Sequence, residues 1–293
     1  PFVNRNHFAM WIAMALPLAF GYIAAREGAH ASRIHRRSRR SSLVDFAASR
    51  TGWIIMAAGS MLLALLLSLS RAGALALGIS AMAAIVLVRR RLDSNQRSWL
   101  MGSVLFASFM AAGWADAPAI RERLTGTPAA LANRFAIWRD TGPIVGDFWL
   151  TGTGAGTYRL AMLVYQRADR SVVFNQAHNH YLQAAAEGGV LLLVPVALAL
   201  AAFVRTAARQ LASDRSAAWG LRASAACGLG AAALHSICET GLVMPANAAL
   251  AAVLAAVVVH ERCADSVTEA PARRFPHGRS SSQRREPVRR RYT

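Results

Sequence analysis

An isolated arginine, Arg71, stands between two apolar runs of this sequence. Leu-Leu-Leu-Ser-Leu-Ser precedes it and Ala-Gly-Ala-Leu-Ala-Leu-Gly follows it. An arginine at this depth is costly unless it is paired, which makes it a functional candidate; an arginine reaching back to lipid headgroups is the structural alternative. Its natural ligand is a phosphate, which a guanidinium binds through paired, charge-assisted hydrogen bonds.

A pair of arginines, Arg134 and Arg139, lies beside Phe135, Ile137 and Trp138. If residues 133–142 form a helix along a membrane interface, Trp138 anchors that helix and Arg134 faces inward. A solvated arginine on an amphipathic helix accounts for the same spacing, so both interpretations stay open.

The run His178-Asn179-His180-Tyr181 comes just before an apolar segment. A neutral imidazole can take a proton from a hydroxyl near pH 7, so His178 is a candidate general base. A metal site is disfavoured, because residues two apart on a helix face away from each other and no acidic or cysteine cluster accompanies the pair. Structural hydrogen bonding remains the alternative, and Glu187 is a candidate to orient a histidine or an arginine.

Two weaker signals complete the polar inventory. The glycines of 152–156 lack the Lys-Ser/Thr of a P-loop and the G-x-G-x-x-G register, which favours a turn that lets backbone approach a ligand. Glu239 is the acid near the end of the apolar segment 218–236, with His235 four residues before it. This pair is either structural or a support for a site.

Composition indicates an integral membrane protein. The chain has 293 residues, of which 55% are hydrophobic, and runs of about 17–20 apolar residues can cross a bilayer as helices. The formal charge of +18 raises nucleic-acid binding, but the apolar content and the placement of the arginines argue against it. Three cysteines without a C-x-x-C pair argue against a disulfide framework or a zinc site. The start at Pro1 suggests a fragment of a longer chain.

The predicted fold is all-α, a polytopic bundle of about seven transmembrane helices with one large, partly helical external loop. The predicted spans are 8–25, 52–69, 72–88, 98–114, 189–204, 218–236 and 246–260. The corresponding domains are helices in 1–114, a catalytic loop in 115–188, helices in 189–260, and a disordered basic tail in 261–293 that rests on anionic lipid.

Arginine placement predicts the orientation. The Arg-rich segments fall on one face of a seven-span bundle, which the positive-inside rule makes cytoplasmic: 26–50, 89–97, 205–215 and 261–293. The opposite face receives residues 1–7, the Ser70-Arg71 junction, 115–188 and 239–247. A transporter is the main alternative of another class, but no internal repeat is visible and one dominant external loop favours an enzyme.

Six motifs together resemble the O-antigen ligase and O-antigen polymerase family. They are N-R-N-H-F-A at 4–9, S-R-A-G at 70–73, N-R-F-A-I-W at 133–138, G-T-G-A-G-T-Y at 152–158, A-H-N-H-Y-L-Q-A-A-A-E-G-G at 177–189 and H-S-I-C-E-T-G-L-V-M-P-A-N at 235–247. The resemblance implies a multi-pass glycosyltransferase of the bacterial inner membrane with its active site facing the periplasm. Such an enzyme moves a glycan from an undecaprenyl-pyrophosphate carrier to an acceptor glycolipid, glycan or protein, by inverting transfer without metal or other cofactor.

The resemblance also implies residue roles. Arg71 and Arg134 would hold the pyrophosphate, and His178 would serve the acceptor hydroxyl. The further candidate substrate-binding residues are Arg139, Asn179, Tyr181 and Glu187. Leu192 replaces a glycine that ligases often carry, and Glu239 stands where many relatives have Asp, so ligase, polymerase and protein glycosylation stay open.

Overall fold

The described part of the chain is helical. A computed structural model describes residues 4–31, 49–88, 127–168, 170–216 and 218–261. Within these ranges the helices are α1 Arg5–Ala31, α2 Arg50–Leu67, α3 Arg71–Val88, α4 Thr127–Asp147, α5 Tyr158–Tyr165, α6 His180–Ser213, α7 Trp219–His235, the 3-10 helix Gly241–Val243 and α8 Pro245–Val259. No strand occurs in these ranges, which confirms the all-α prediction for them.

Six of the seven predicted spans coincide with helices, while the predicted span 98–114 lies outside the described residues. By length and apolar composition, three described helices can cross a membrane: Arg5–Ile23, Arg50–Leu67 and His180–Ser213. The shorter apolar helices Arg71–Val86 and Pro245–Val259 accompany them. The count of seven therefore stays a prediction, and the predicted disordered tail after Glu261 lies outside the described residues.

Helix α1 lies at the centre of the bundle. Its Met10 and Met14 pack with residues of α6, α7 and α8, and its Ala9, Ile12 and Leu16 pack on α2. The contact with α7 is close, because a Cβ on Gly228 would lie 2.5 Å from the Met14 carbonyl oxygen. The small residues of segment 225–233 allow the two helices to approach this closely.

A buried arginine ties together one end of α6, α7 and α8. Arg222, in the first turn of α7, pairs through Nε with Asp214 Oδ2 at 3.1 Å and donates from Nη1 to the Val258 carbonyl at 2.9 Å. Asp214 follows the last residue of α6, and Val258 lies in the last turn of α8. The other end of these helices holds the start of α6, the end of α7 and the start of α8.

Helix α6 is broken at Gly189, where the predicted loop was expected to meet the membrane span. Gly189 has φ 56° and ψ −161°, so the ladder of helical hydrogen bonds stops there. The segment between α4 and α5 supplies the missing partners. Thr153 and Gly154 N–H donate to the carbonyls of residues 186 and 187, while the N–H groups of residues 190 and 191 donate to the carbonyls of residues 149 and 150, all at 2.9–3.0 Å.

This exchange satisfies four backbone groups that the break would otherwise leave without partners. It also explains two glycines. A Cβ on Gly152, which has φ +65°, would lie 2.2 Å from the carbonyl carbon of Glu187, and one on Gly189 would lie 2.5 Å from the Leu150 carbonyl oxygen. Both positions therefore exclude a side chain by contact as well as by conformation.

Gly152→Ala and Gly189→Ala are each expected to destabilise the protein by about 1–3 kcal/mol, because backbone atoms must move to admit the methyl group. Gly146→Ala is the matched control, since its Cβ would meet nothing within 4 Å and it lies inside α4. Thermal unfolding of the detergent-purified variants measures the difference. Equal unfolding temperatures for all three variants would contradict the assigned role of the backbone exchange.

Candidate active site

A buried carboxylate, Glu239, lies at the centre of a polar cluster in the turn after α7. Its side chain is 0% exposed. His178 Nδ1 lies 3.0 Å from Oε1, Asn6 Nδ2 donates to Oε2 at 2.7 Å, and Arg134 Nη2 lies 3.7 Å from Oε2. His7 Nε2 is 4.0 Å from Oε1. Three cation-forming side chains from α1, α4 and the segment before α6 thus surround one acid.

The surroundings keep this carboxyl ionised. Burial by itself raises the pKa of Glu239, but the hydrogen bond of His178, the positive charge that His178 carries when protonated, and the N–H donors of Asn6 and Thr240 outweigh it and lower the pKa from 4.5 to about 2. An ionised carboxylate only accepts hydrogen bonds. His178 Nδ1 must therefore carry the hydrogen that faces Glu239, which leaves Nε2 as the basic nitrogen of a neutral imidazole.

His178 is held in an unusual backbone conformation. Its φ is 49°, in the left-handed region that non-glycine residues rarely adopt. The next residue, Asn179, caps α6 by accepting the Leu182 N–H at 3.0 Å, and His180 N–H donates to the Ser236 carbonyl at 2.8 Å. These contacts fix the backbone on one side of His178, whose side chain is 34% exposed. The imidazole is thus both anchored and accessible.

The turn that carries Arg71 reaches the same cluster. Ser70, which is buried, donates from Oγ to Asn6 Oδ1 at 2.9 Å, and Asn6 binds Glu239. Arg71 is the first residue of α3 and is half-buried. Leu69, with φ 55°, is the other non-glycine residue with positive φ in the described ranges. Backbone strain of this kind collects at functional sites, which supports a functional role for the turn.

The comparisons with known proteins give one match. Residues 56–197 match the family model described as O-antigen ligase. Over these residues, slightly less than half of the chain, the protein is similar to the O-antigen ligase family. No curated protein matches the chain.

The matched segment begins in α2 and ends in α6, and it contains Arg71, Arg134 and His178. Family and apolar helices together indicate a membrane protein of glycan transfer. Glu239 and Asn6 lie outside the matched segment, so two members of the cluster come from parts of the chain that the family model does not cover.

Two of the other residues predicted to bind substrate, Tyr181 and Glu187, have hydrogen-bond partners away from Glu239. Arg139 is exposed on α4. Tyr181 donates from its hydroxyl to the Ala233 carbonyl at 2.8 Å and so joins α6 to α7. Glu187 accepts N–H groups of Gly156 at 3.1 Å and Tyr158 at 3.2 Å, which orders the start of α5. The structure does not bring these three side chains onto Glu239, and their role in binding stays a prediction together with that of Asn179.

Sequence reasoning gave Glu239 too small a part. The sequence placed His235 and Glu239 on one face only if the helix continued and left the pair as either structural or a support for a site; α7 ends at His235 and the chain turns. The His235 side chain is 1% exposed, and neither ring nitrogen has a hydrogen-bond partner among the described residues. Asn6 and Ser70 were missed as site residues, although their motifs were noted. The available signal was a set of polar side chains at the ends of apolar spans.

The pH dependence of stability tests the buried charge. Because the folded-state pKa of Glu239 is depressed to about 2, its stabilising effect is present above the unfolded-state value and is lost as pH falls from about 5 through about 2. The loss should amount to about 3 kcal/mol. Denaturant unfolding in detergent at a series of pH values should show this acid slope in the wild type and a shallower one in Glu239→Gln. Parallel curves would contradict the assignment.

Proposed function

We propose that this chain is a glycosyltransferase that moves a glycan from an undecaprenyl-pyrophosphate carrier to an acceptor hydroxyl. The observation that carries the proposal is the contact of His178 with the ionised Glu239, which also lies beside Arg134. Hydrogen bonds through Asn6 and Ser70 connect Glu239 to the turn that carries Arg71. The acceptor belongs to a glycolipid, a growing glycan or a protein. Neither a metal ion nor a nucleotide sugar takes part in the proposed reaction.

His178 is the proposed general base. With Nδ1–H donated to Glu239, its Nε2 can accept the proton of the acceptor hydroxyl as the new glycosidic bond forms. Glu239 holds the ring in the required tautomer and stabilises the imidazolium that results, the division of labour known from histidine–carboxylate pairs in other enzymes. The 34% exposure of the His178 side chain leaves room for the acceptor to approach.

Arg71 and Arg134 are the proposed ligands of the leaving diphosphate. Arg134 Nη2 lies 3.7 Å from Glu239 Oε2, longer than a good hydrogen bond, and its side chain is 24% exposed. Its guanidinium therefore keeps donors for a phosphate. Arg71 adds a second guanidinium at the N-terminus of α3, where backbone N–H groups also favour an anion. Positive groups placed where negative charge grows lower the barrier to departure.

The reaction is a single displacement at the anomeric carbon. The acceptor oxygen bonds to that carbon, the bond to the diphosphate oxygen breaks, and the configuration inverts. The proton leaves on His178, and the electron pair leaves on the carrier diphosphate.

The proposed location is the bacterial inner membrane with the site on the periplasmic face. The cluster residues belong to segments that the arginine distribution assigns to one face, namely the start of α1, the α2–α3 turn, the region before α6 and the turn after α7. The Arg222–Asp214 pair lies at the other end of α7 from Glu239. This separation agrees with the predicted division into a cytoplasmic and an external face.

His178→Ala and Arg71→Ala are expected to lower glycan transfer by at least about 100-fold, because each removes a group that acts on the transition state. The assay uses the purified protein in proteoliposomes with a purified lipid-linked glycan and its acceptor. The matched controls are His260→Ala and Arg159→Ala, two exposed residues outside the cluster, which should keep wild-type rates.

Full turnover by His178→Ala would remove the general-base proposal. A flux of the lipid-linked glycan across the same liposomes, without transfer, would favour a transporter instead.

A further inference from the structure

The side-chain amide of Asn6, at the start of α1, both donates and accepts a hydrogen bond. Asn6 Nδ2 donates to Glu239 Oε2 at 2.7 Å, and Asn6 Oδ1 accepts the Ser70 hydroxyl at 2.9 Å. The orientation of the amide follows from chemistry, because the ionised Glu239 can only accept and must face the NH₂ group. Asn6 N–H in turn donates to Asn4 Oδ1 at 2.8 Å, which ties the first turn of α1 to itself.

The two partners of Asn6 lead to the two halves of the proposed site. Glu239 contacts His178 and Arg134, whereas Ser70 immediately precedes Arg71. Helix α1, which carries Asn6, also touches α3, which begins at Arg71, since a Cβ on Gly73 would lie 2.7 Å from the Ala9 Cβ. The hydrogen bonds Ser70–Asn6–Glu239 thus form a continuous path between the turn of Arg71 and the base.

We propose that Asn6 is a positioning residue that fixes the diphosphate-binding turn of Arg71 relative to the His178–Glu239–Arg134 cluster. The inference rests on the proposed function and adds a residue to which no role has been given. Transfer requires the leaving group and the base to sit on opposite sides of one carbon, so a small error in their separation is costly. An amide suits this position because it donates to a carboxylate and accepts from a hydroxyl at once.

Aspartate at position 6 would change the donor into a second acid. The charged and titratable groups facing Glu239 are His178, Arg134, His7 and, more distantly, His235. Two adjacent carboxylates repel each other when both are ionised, so one of them tends to keep a proton and the pair shares it. An aspartic acid that holds this proton can donate to Glu239 as Asn6 does, so that Asn6→Asp should recover function as pH falls.

Four variants test the proposal in the proteoliposome assay. Asn6→Ala should lower kcat by roughly 10- to 100-fold, the usual effect of removing a partner that orients a working group. Ser70→Ala should also lower kcat, but by less than Asn6→Ala, because it frees the Arg71 turn while Asn6 still donates to Glu239. Asn4→Ala is the matched control, which loosens the same helical turn and keeps the Asn6 side chain, and should behave as wild type.

Asn6→Asp provides the readout that a merely structural role would not move. Its rate relative to wild type should rise several-fold between about pH 8 and about pH 6, while the ratio for Asn6→Ala stays flat. If Asn6→Ala does not insert into the membrane, Asn6→Asp alone tests the positioning role. The rate of one purified Asn6→Asp sample is then measured at both pH values and divided by the wild-type rate at the same pH.

A pH-independent ratio for Asn6→Asp, or a loss in Asn4→Ala equal to that in Asn6→Ala, would overturn the positioning role. These outcomes differ from failure of the proposed function. If the wild type shows no transfer, the function itself is wrong, and if Arg71→Ala and His178→Ala retain transfer, their assigned roles are wrong. If they abolish transfer and the Asn6 variants follow Asn4→Ala, only the role of Asn6 is lost.

Discussion

The site depends on one buried charge, the carboxylate of Glu239, which requires hydrogen-bond donors and positive charges around it. An ionised carboxylate without exposed surface is strongly unfavourable unless hydrogen bonds and opposite charges replace its water. Glu239 obtains these from Asn6 of α1, from Arg134 of α4, from His178 and from the Thr240 N–H. The partners come from distant parts of the chain, so the cluster forms only when α1, α4 and the turn after α7 have come together. The same charge that organises the fold also sets the tautomer of the imidazole.

The broken helix α6 gives this cluster a firm attachment. Its first turns belong to the polar region around His178, and its later part is the most apolar of the candidate spans. Hydrogen bonds between backbone groups join the break to the segment between α4 and α5. A buried cluster of Ile144, Tyr158, Met162, Ala177 and Ala186 packs the same region together. Arg134 and His178 are consequently carried by one packed unit that continues directly into a membrane span.

The sequence was most informative where a local pattern determines the answer. Long apolar runs predicted the positions of the helices, because length and composition are sufficient to define a span. Arg71, Arg134 and His178 stood out because charge and imidazole are rare near apolar segments. The importance of Glu239 was not visible, since its contacts with His178 and Asn6 join residues 61 and 233 positions apart. No periodicity or motif spacing encodes such long-range pairs.

Two acidic side chains have contacts that a local pattern could not predict. The pairing of His235 with Glu239 assumed another helical turn, but α7 ends and a 3-10 helix follows. Glu187 was predicted to bind substrate; its carboxylate accepts backbone N–H groups of the neighbouring loop, and its role in binding stays a prediction. The type of a polar residue limits which hydrogen bonds its side chain can form, but the tertiary fold determines which partner is close enough.

The backbone exchange at Gly189 has a consequence for how this region tolerates change over generations. Its four hydrogen bonds join main-chain atoms of 149–154 to those of 186–191, so most side chains there are free to drift without weakening the joint. Adding or deleting a single residue inside either segment would instead shift every donor past its acceptor. Homologous chains should therefore differ in residue identity but not in length within these two segments, and insertions and deletions should lie outside them.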